Sequence, residues 1–484
     1  MLFNSYEFIY IFLPLTLVIF FTLANHNKHS ALLILVISSL IFYGCLSLHY
    51  LPLLIVSVMV NYFVSVRISA SGFSWNWPGK KYTSSKSSGG SGNFSSDEKL
   101  STNTSAKKFW LILGIVFNFA LLGYFKVINS LPLGISFYTF TQTAHLVEVF
   151  RNSITTKSLL EYSGYVTFFP CITSGPIMNA KTFSLSYELD YENIARGITR
   201  FTLGLFKKVC IADLLAHTVN ELFASAGFLT FIEAWAAAFG YGMQLYFDFS
   251  GYSDMAIGIG LMFGVSLPEN FNSPYKSTSI IDFWRRWHIS LGAWIRDYIY
   301  IPLGGSREGE FKKIRNVFIA MLFTGIWHGT GLTFIIWGLL HGVFLAVNHQ
   351  WRRLNVKLPA LISWLITFLC VTFAWVIFRA ENLNEAGKII TAMLNVKNIM
   401  LPSRLAGYLG FLGAYGVSFG VFATGLKMLA LIPFAMIITF FFSNSKELTG
   451  NFKPGIVKLA IVFVLLVISF VNLSGISDFL YFQF

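Results

Sequence analysis

The sequence predicts an all-α integral membrane protein. Three observations lead there. Hydrophobic residues make up 55% of the 484 residues and charged ones only 12%. Apolar runs of about 17 to 20 residues, the length that crosses a bilayer core as a helix, recur along almost the whole chain. These runs do not alternate between polar and apolar residues, as the roughly ten-residue strands of a membrane barrel would. Backbone polar groups in hydrocarbon must be satisfied within their own segment, so a bundle of about ten to twelve helices is expected.

Taken in order, the first run, 7–23, follows Glu7 without a basic leader and reads as a spanning helix rather than a cleaved signal peptide. Spans 31–48 and 51–68 follow. Residues 69–108 form the one long polar linker, Ser- and Gly-rich around 84–92, with no apolar periodicity, and are expected to be flexible. Lys80, Lys81, Lys86, Lys99, Lys107 and Lys108 outnumber Asp97 and Glu98 there, which places the linker in the cytoplasm. Counting back through three helices puts loop 24–30, with Lys28, on the same side and the N-terminus outside. Span 109–126 is clear; 131–150, 163–180, 198–222 and 235–265 are shorter or interrupted. Further spans are predicted at 317–347, 359–378, 405–422, 426–442 and 456–473.

The net charge of +13 is accounted for by loops that follow the positive-inside rule and by anionic lipid headgroups, not by nucleic acid. Cys45, Cys171, Cys210 and Cys370 sit in apolar surroundings without paired spacing and read as small buried hydrophobes. No repeat of fixed period is visible, and a single membrane domain over 1–484 is expected.

Residues 276–316 differ from their surroundings. Eight bases (Lys276, Arg285, Arg286, Arg296, Arg307, Lys312, Lys313, Arg315) stand against Asp282, Asp297, Glu308 and Glu310, interleaved with Trp284, Trp287, Trp294, Tyr298 and Tyr300. This is the pattern of an interfacial amphipathic helix. It equally suits a basic cytoplasmic mouth that attracts a phosphate-bearing or carrier-bound donor, with Arg285, Arg286, Arg296 and Asp297 as candidates along the path.

Ionisable groups inside apolar runs cost roughly 2.5–3.5 kcal/mol each on insertion scales and call for a reason. Tyr241, Gln244, Asp248 and Tyr252 share one helical face at about 100° per residue. They form either a polar network joining helices or the lining of a substrate path, and Asp248 reads as an organiser rather than a catalyst. His328, between Trp327 and Gly329, lies inside span 317–347, which also carries Asn316, Thr324, Thr330 and His341. On one regular helix His328 and His341 would point well apart, so no metal pair is expected. An imidazole with its ordinary pKa near 6.5 suits general-base work. A histidine hydrogen-bonded between helices is the structural alternative. His288, in Phe283-Trp284-Arg285-Arg286-Trp287-His288, stands beside the basic aromatic segment. No nucleophile elbow, phosphate-binding loop or Cys-x-x-Cys motif occurs, which favours direct transfer between donor and acceptor.

Several blocks then resemble one family. They are Leu131-Pro132-Leu133-Gly134-Ile135-Ser136-Phe137-Tyr138-Thr139-Phe140; Phe168-Phe169-Pro170 with Ser174-Gly175-Pro176; and Gly204-Leu205-Phe206-Lys207-Lys208 with Ala212-Asp213. Tyr246-Phe247-Asp248-Phe249-Ser250-Gly251-Tyr252-Ser253-Asp254 and Asn270-Phe271-Asn272-Ser273-Pro274-Tyr275 follow. The Trp287-His288, Arg296-Asp297-Tyr298, Pro302-Leu303-Gly304-Gly305 and Trp327-His328-Gly329 segments and the terminal 479–484 complete the set. Together they resemble the membrane-bound O-acyltransferases, in the bacterial branch of the alginate O-acetylation membrane subunit and the teichoic acid D-alanyl transfer protein.

The resemblance implies a ring of about 11 transmembrane helices around a thin core, with a central funnel or tunnel, in the bacterial inner membrane. His328 matches the family's catalytic histidine and His288 the second histidine of the branch, near the cytoplasmic part of the path; Trp327 would help shape the site. It implies no metal or prosthetic group. An acetyl group would pass from a cytoplasmic thioester, ultimately acetyl-CoA, to a hydroxyl of an extracytoplasmic polysaccharide, directly or through extracytoplasmic acetylation proteins. D-alanyl transfer from an acyl carrier protein to teichoic acid is the alternative within the family, and a transporter or acyl-translocation channel the alternative outside it. Thr141-Gln142, His145 and Ser174 depart from the family pattern but leave both histidines intact, so they bear on substrate rather than chemistry.

Overall fold

A computed structural model describes residues 1–70, 96–450, 452–473 and 479–480, with backbone only for 96–103 and Met428. It is mostly helical, and its contacts divide the chain into two compact units. The first holds Met1, Leu13–Thr173 and Ile177–Leu189; the second holds Leu2–Phe12, Ser174–Pro176 and Asp190–Phe484.

The first unit contains α1 (Leu13–Ala24), α2 (Lys28–Ser47), α3 (Leu51–Ala70), α4 (Ser96–Val127), α5 (Ile135–Phe150), α6 (Leu159–Thr167) and α7 (Phe169–Ile172). Local signals set several starts. The Asn27 side chain accepts from the His29 N–H at 2.8 Å to cap α2. Ser158 and Glu161 close a reciprocal capping box on α6. One face of α2 exposes Leu33, Ile37 and Ile41, and one of α3 exposes Ile55, Met59 and Phe63. Apolar stripes of this kind face lipid, since water would not tolerate them on a monomer. The opposite faces pair polar groups between helices: Asn61 and Asn118 exchange amide hydrogen bonds of 3.0 and 2.7 Å. Gln142 donates to Ser57 at 2.9 Å and accepts from Tyr162 at 3.2 Å. In hydrocarbon such bonds hold helices together where the hydrophobic effect cannot.

The second unit contains α8 (Tyr191–Phe206), a π-helical turn (Lys207–Ala212), α9 (Asp213–Ala224), α10 (Phe231–Met262), α11 (Ile280–Arg286), α12 (Ile289–Ile295), a π-helical turn (Arg296–Tyr300), α13 (Glu310–His328), α14 (Leu332–Arg353), α15 (Ala360–Arg379), α16 (Leu383–Leu394), α17 (Ala406–Leu409), α18 (Lys427–Phe441), α19 (Ser445–Gly450) and α20 (Ile456–Val471). Strands β1 (Met400–Pro402) and β2 (Ser418–Gly420) pair in parallel, Met400 opposite Ser418.

Helix α10 is the axis of this unit: every residue from Gly240 to Gly260 is buried. A helix covered on all sides needs close neighbours, and α8 supplies one. The two run antiparallel with Gly197 against Gly258 and Gly204 against Gly251. A Cβ on Gly204 would lie 2.5 Å from the Gly251 carbonyl oxygen, and one on Gly258 would lie 2.6 Å from that of Gly197. Small residues at this spacing let the backbones touch.

Among the described residues, segments long and apolar enough to cross a membrane are Lys28–Ala70 (α2 with α3), Thr104–Val127, Leu332–Arg353 and Ala360–Arg379; Phe8–Ala24, Leu429–Phe441 and Ile456–Val471 are shorter apolar helices. Several expectations change. Of the predicted flexible linker, 71–95 lies outside the described residues, whereas 96–108 belongs to α4. Predicted span 405–422 is not one helix but short turns and β2, because glycines at 407, 410, 413, 416 and 420 remove the side chains that favour helix. Predicted span 317–347 is an antiparallel helix pair broken at Gly329-Thr330-Gly331. The basic aromatic segment 276–316 is not one amphipathic helix: α11 and α12 are short, and Trp287 and Trp294 are buried within the protein. Of the cysteines only Cys171 is buried; Cys45 is exposed on the apolar α2 and the other two are half-buried.

Candidate active site

Both histidines stand where helices end. His288 occupies the junction between α11 and α12, buried, with a left-handed backbone at φ 44° and ψ 54°. Outside glycine that conformation costs of the order of 1–3 kcal/mol and persists only where surrounding contacts impose it. Here the strap 270–276 imposes it. Ile289 N–H donates to the Asn270 carbonyl at 3.0 Å, and the Asn270 side-chain oxygen accepts from Ser290 Oγ at 2.6 Å and from the Ser290 N–H at 3.3 Å. Asn270 Nδ2 in turn donates to Ser253 Oγ on α10 at 3.2 Å. The same block that resembles the family therefore acts as a clamp on the His288 backbone.

His328 is the last residue of α13. Gly329 follows in an extended conformation and turns the chain into α14. Gly325 and Gly338 bring the two helices into contact: a Cβ on Gly325 would lie 2.4 Å from the Phe334 carbonyl oxygen. The buried His328 ring sits edge-on to Trp337 at 5.3 Å, to Phe378 at 5.1 Å and to Trp327 at 4.8 Å. Trp327 also approaches His288, at 6.1 Å between ring centres, and Phe249 of α10 meets His288 edge-on at 4.7 Å. The two histidines thus share one aromatic wall, with the Trp327 indole between them. On the far side Trp337 contacts His341 at 4.8 Å, and Trp284 Nε1 donates to His341 Nδ1 at 3.3 Å.

The helix break revises the relation of His328 to His341. They are not on one helix, so the angular separation expected for one helix does not apply; they flank Trp337 from two helices. Trp337, Phe378 and His341 are the neighbours that sequence reasoning missed. The Gly-Thr-Gly after His328 was the available signal, since two glycines in three residues favour a turn. Among the described residues no three His, Cys, Asp or Glu side chains gather as a metal site.

The other candidates make contacts of their own. Asp248 accepts from Lys208 Nζ at 2.8 Å and from the Leu480 N–H at 3.0 Å, while Lys208 also pairs with Asp213 at 2.8 Å. Six residues on, Asp254 pairs with Arg200 and Lys207, each at 2.7 Å. The adjacent Lys207 and Lys208 leave the π-helical turn in different directions and serve two carboxylates on α10. Tyr252 packs between Phe3 at 5.1 Å and Phe479 at 4.8 Å. Gln244 is buried, and its Oε1 has no partner among the described residues. Arg286 clasps Asp282 at 3.0 Å, and Arg296 clasps Asp297 at 2.7 Å; Arg285 is exposed. The hydrogen bond to Asp297 holds the Arg296 pKa above its usual value. The hydrogen bond from Lys312 lowers the pKa of the exposed Glu308 carboxyl.

At the end of α15, one residue beyond Phe378, lies a polar cleft of about 630 Å³ lined by Asn220, Phe223, Phe228, Arg379, Asn382 and Lys388, among others. Arg379 donates to the Asn220 side-chain oxygen at 3.0 Å and lies over the Phe223 ring.

Comparison with known proteins decides the family. Residues 94–384, more than half the chain, match the model of the membrane-bound O-acyltransferase family. The chain belongs to that family. This acyltransferase is 36% identical to the peptidoglycan O-acetyltransferase of Helicobacter pylori, over 100% of its own length and 98% of the relative's. It is 38% identical to the probable alginate O-acetylase AlgI of Pseudomonas aeruginosa, over 82% of this chain and 75% of that one. The teichoic acid D-alanyltransferase of Bacillus subtilis is 31% identical over 51% of the acyltransferase and 69% of its own length. The apolar helices agree with a multi-pass membrane protein.

Proposed function

We propose that this acyltransferase moves an acetyl group from a cytoplasmic thioester, acetyl-CoA as ultimate donor, to hydroxyls of an extracytoplasmic polysaccharide, directly or through a partner that completes the transfer. The observation that carries this reading is the enclosure of His328 by Trp327, Trp337 and Phe378 at the turn between α13 and α14. An alcohol is a poor nucleophile until a base within hydrogen-bond reach takes its proton, and a neutral imidazole is suited to that task. Aromatic walls keep bulk water away, which protects the thioester from hydrolysis. His288, held on the same wall by the Asn270 clamp, lines the donor's approach from the basic segment 276–316. In this reading that segment faces the cytoplasm of a bacterium, α13 leads from it to His328, and the N-terminus lies outside. The polar cleft beyond Phe378, with its amides, Arg379 and exposed Phe228, suits a saccharide arriving from the other side. Similarity along the full length to a peptidoglycan O-acetyltransferase, against half the chain for the D-alanyltransferase, favours acetyl over D-alanyl transfer.

Mass spectrometry of wall and secreted glycans, with and without the protein, tests the acceptor: loss of acetyl esters is expected, and loss of D-alanyl esters instead would overturn it. His328→Ala tests the base. Transfer in membranes supplied with labelled acetyl-CoA is expected to fall at least ~100-fold with folded protein retained. Transfer at the native rate would remove His328 from the chemistry.

A further inference from the structure

Two polar groups, one on the ring that contacts His328 and one on the next ring beyond it, are buried and have no hydrogen-bond partner among the described residues: indole Nε1 of Trp337 and imidazole Nε2 of His341. They lie four residues apart on α14 and so on one face of it, their rings 4.8 Å apart. Trp337 is itself 5.3 Å from His328. Their hydrogens can be assigned by chemistry alone. An indole nitrogen can only donate, so the bond from Trp284 Nε1 to His341 Nδ1 requires a lone pair on Nδ1. His341 is therefore a neutral imidazole with its hydrogen on Nε2, and Trp284 sets that tautomer. Both orphaned groups are then N–H donors, and buried donors ordinarily find an acceptor. Of the rings around them, Trp284, Phe344, Trp375 and Phe378 offer none, and the His328 imidazole beside Trp337 accepts from neither group.

We propose that Trp337 Nε1–H and His341 Nε2–H bind the carbonyl oxygen of the acyl thioester and hold the negative charge that develops on it, while His328 acts on the acceptor. This rests on the reading of His328 as base. In the step itself the acceptor hydroxyl oxygen attacks the thioester carbon, and its proton passes to His328. The C–O bond forms, and the carbonyl π electrons move onto oxygen, where the two N–H groups meet them. Collapse restores the carbonyl, breaks the C–S bond and releases a thiolate, which takes the proton from His328. Product ester and free thiol leave, and the imidazole is neutral again. Donors fixed on a helix and shielded from water need no reorganisation as charge appears.

Three variants test the pair in membranes supplied with labelled acetyl-CoA, with folded protein quantified by detergent size exclusion. Trp337→Phe keeps an aromatic ring and deletes only the N–H. His341→Phe removes both nitrogens, and His341→Gln restores a donor near the Nε2 position. Loss of one such donor costs about 10²–10³-fold in kcat. That loss is expected for Trp337→Phe and His341→Phe, with donor KM and folded yield near native and with His341→Gln recovering much of it. Native kcat in both phenylalanine variants would overturn the proposal and leave the donors to a bridging water. So would a loss that tracks folded yield and is not recovered by His341→Gln. The His328→Ala control separates the two readings. If it transfers at the native rate, the base assignment fails. If it is inert while both phenylalanine variants are native, only the donor pair fails.

Discussion

His288 shows how much a single position can be asked to do. Its side chain faces Trp327 and Phe249 only because its backbone adopts a left-handed conformation. Asparagine tolerates that conformation better than most residues, and a β-branched residue hardly at all. His288→Asn should therefore keep the thermal midpoint in detergent near native while transfer falls and the donor KM rises, whereas His288→Val should lower the midpoint as well. Native transfer in His288→Asn would mean that the imidazole is dispensable and that position 288 serves only the turn. Asp248 belongs to a different economy of charge. It sits with Lys208 and Asp213 in a buried network, where removing one partner leaves an uncompensated charge at a cost of about 3–5 kcal/mol. Asp248→Ala should sharply reduce folded protein, and Asp248→Asn, which still accepts from the Leu480 N–H, should lose less. Unchanged thermal midpoints in both would show that the network does not hold the fold.

Among elements, the antiparallel contact of α8 with α10 is the one that the second unit cannot lose. It brings Arg200, Lys207 and Lys208 to Asp248 and Asp254, and it leaves α10 free to present Phe249 to His288. Gly204→Leu would drive a side chain into the Gly251 backbone; overpacking of this kind costs about 1–3 kcal/mol or more. A lower thermal midpoint and reduced transfer together are expected, and a native midpoint would show that the helices can move apart without harm. The pair α13–α14 carries the opposite lesson. Its apolar run reads as one long span, yet Gly329 and Gly331 turn the chain back, and that turn places His328 against Trp337.

For the whole molecule, the proposed direction of transfer depends on sidedness. Single cysteines introduced into loop 24–27 of a cysteine-free variant should react with an impermeant maleimide only when the cytoplasmic face is open; labelling from outside intact cells would reverse the assigned orientation. At this scale the sequence by itself determined the membrane class, the helical content and the family, because hydrophobic length and motif order are local properties of the chain. It also flagged Asp248 as a buried charge in need of a partner, but not that the partner is Lys208. What only the tertiary structure decided are relations between segments far apart in sequence. The strap at Asn270 fixes His288, Phe378 arrives from α15 to wall His328, and Asp248 pairs with Lys208. The Trp284 hydrogen bond assigns the tautomer of His341. None of these can be read from spacing, because each depends on which helix faces come into contact, and close packing sets that only when the whole chain has folded.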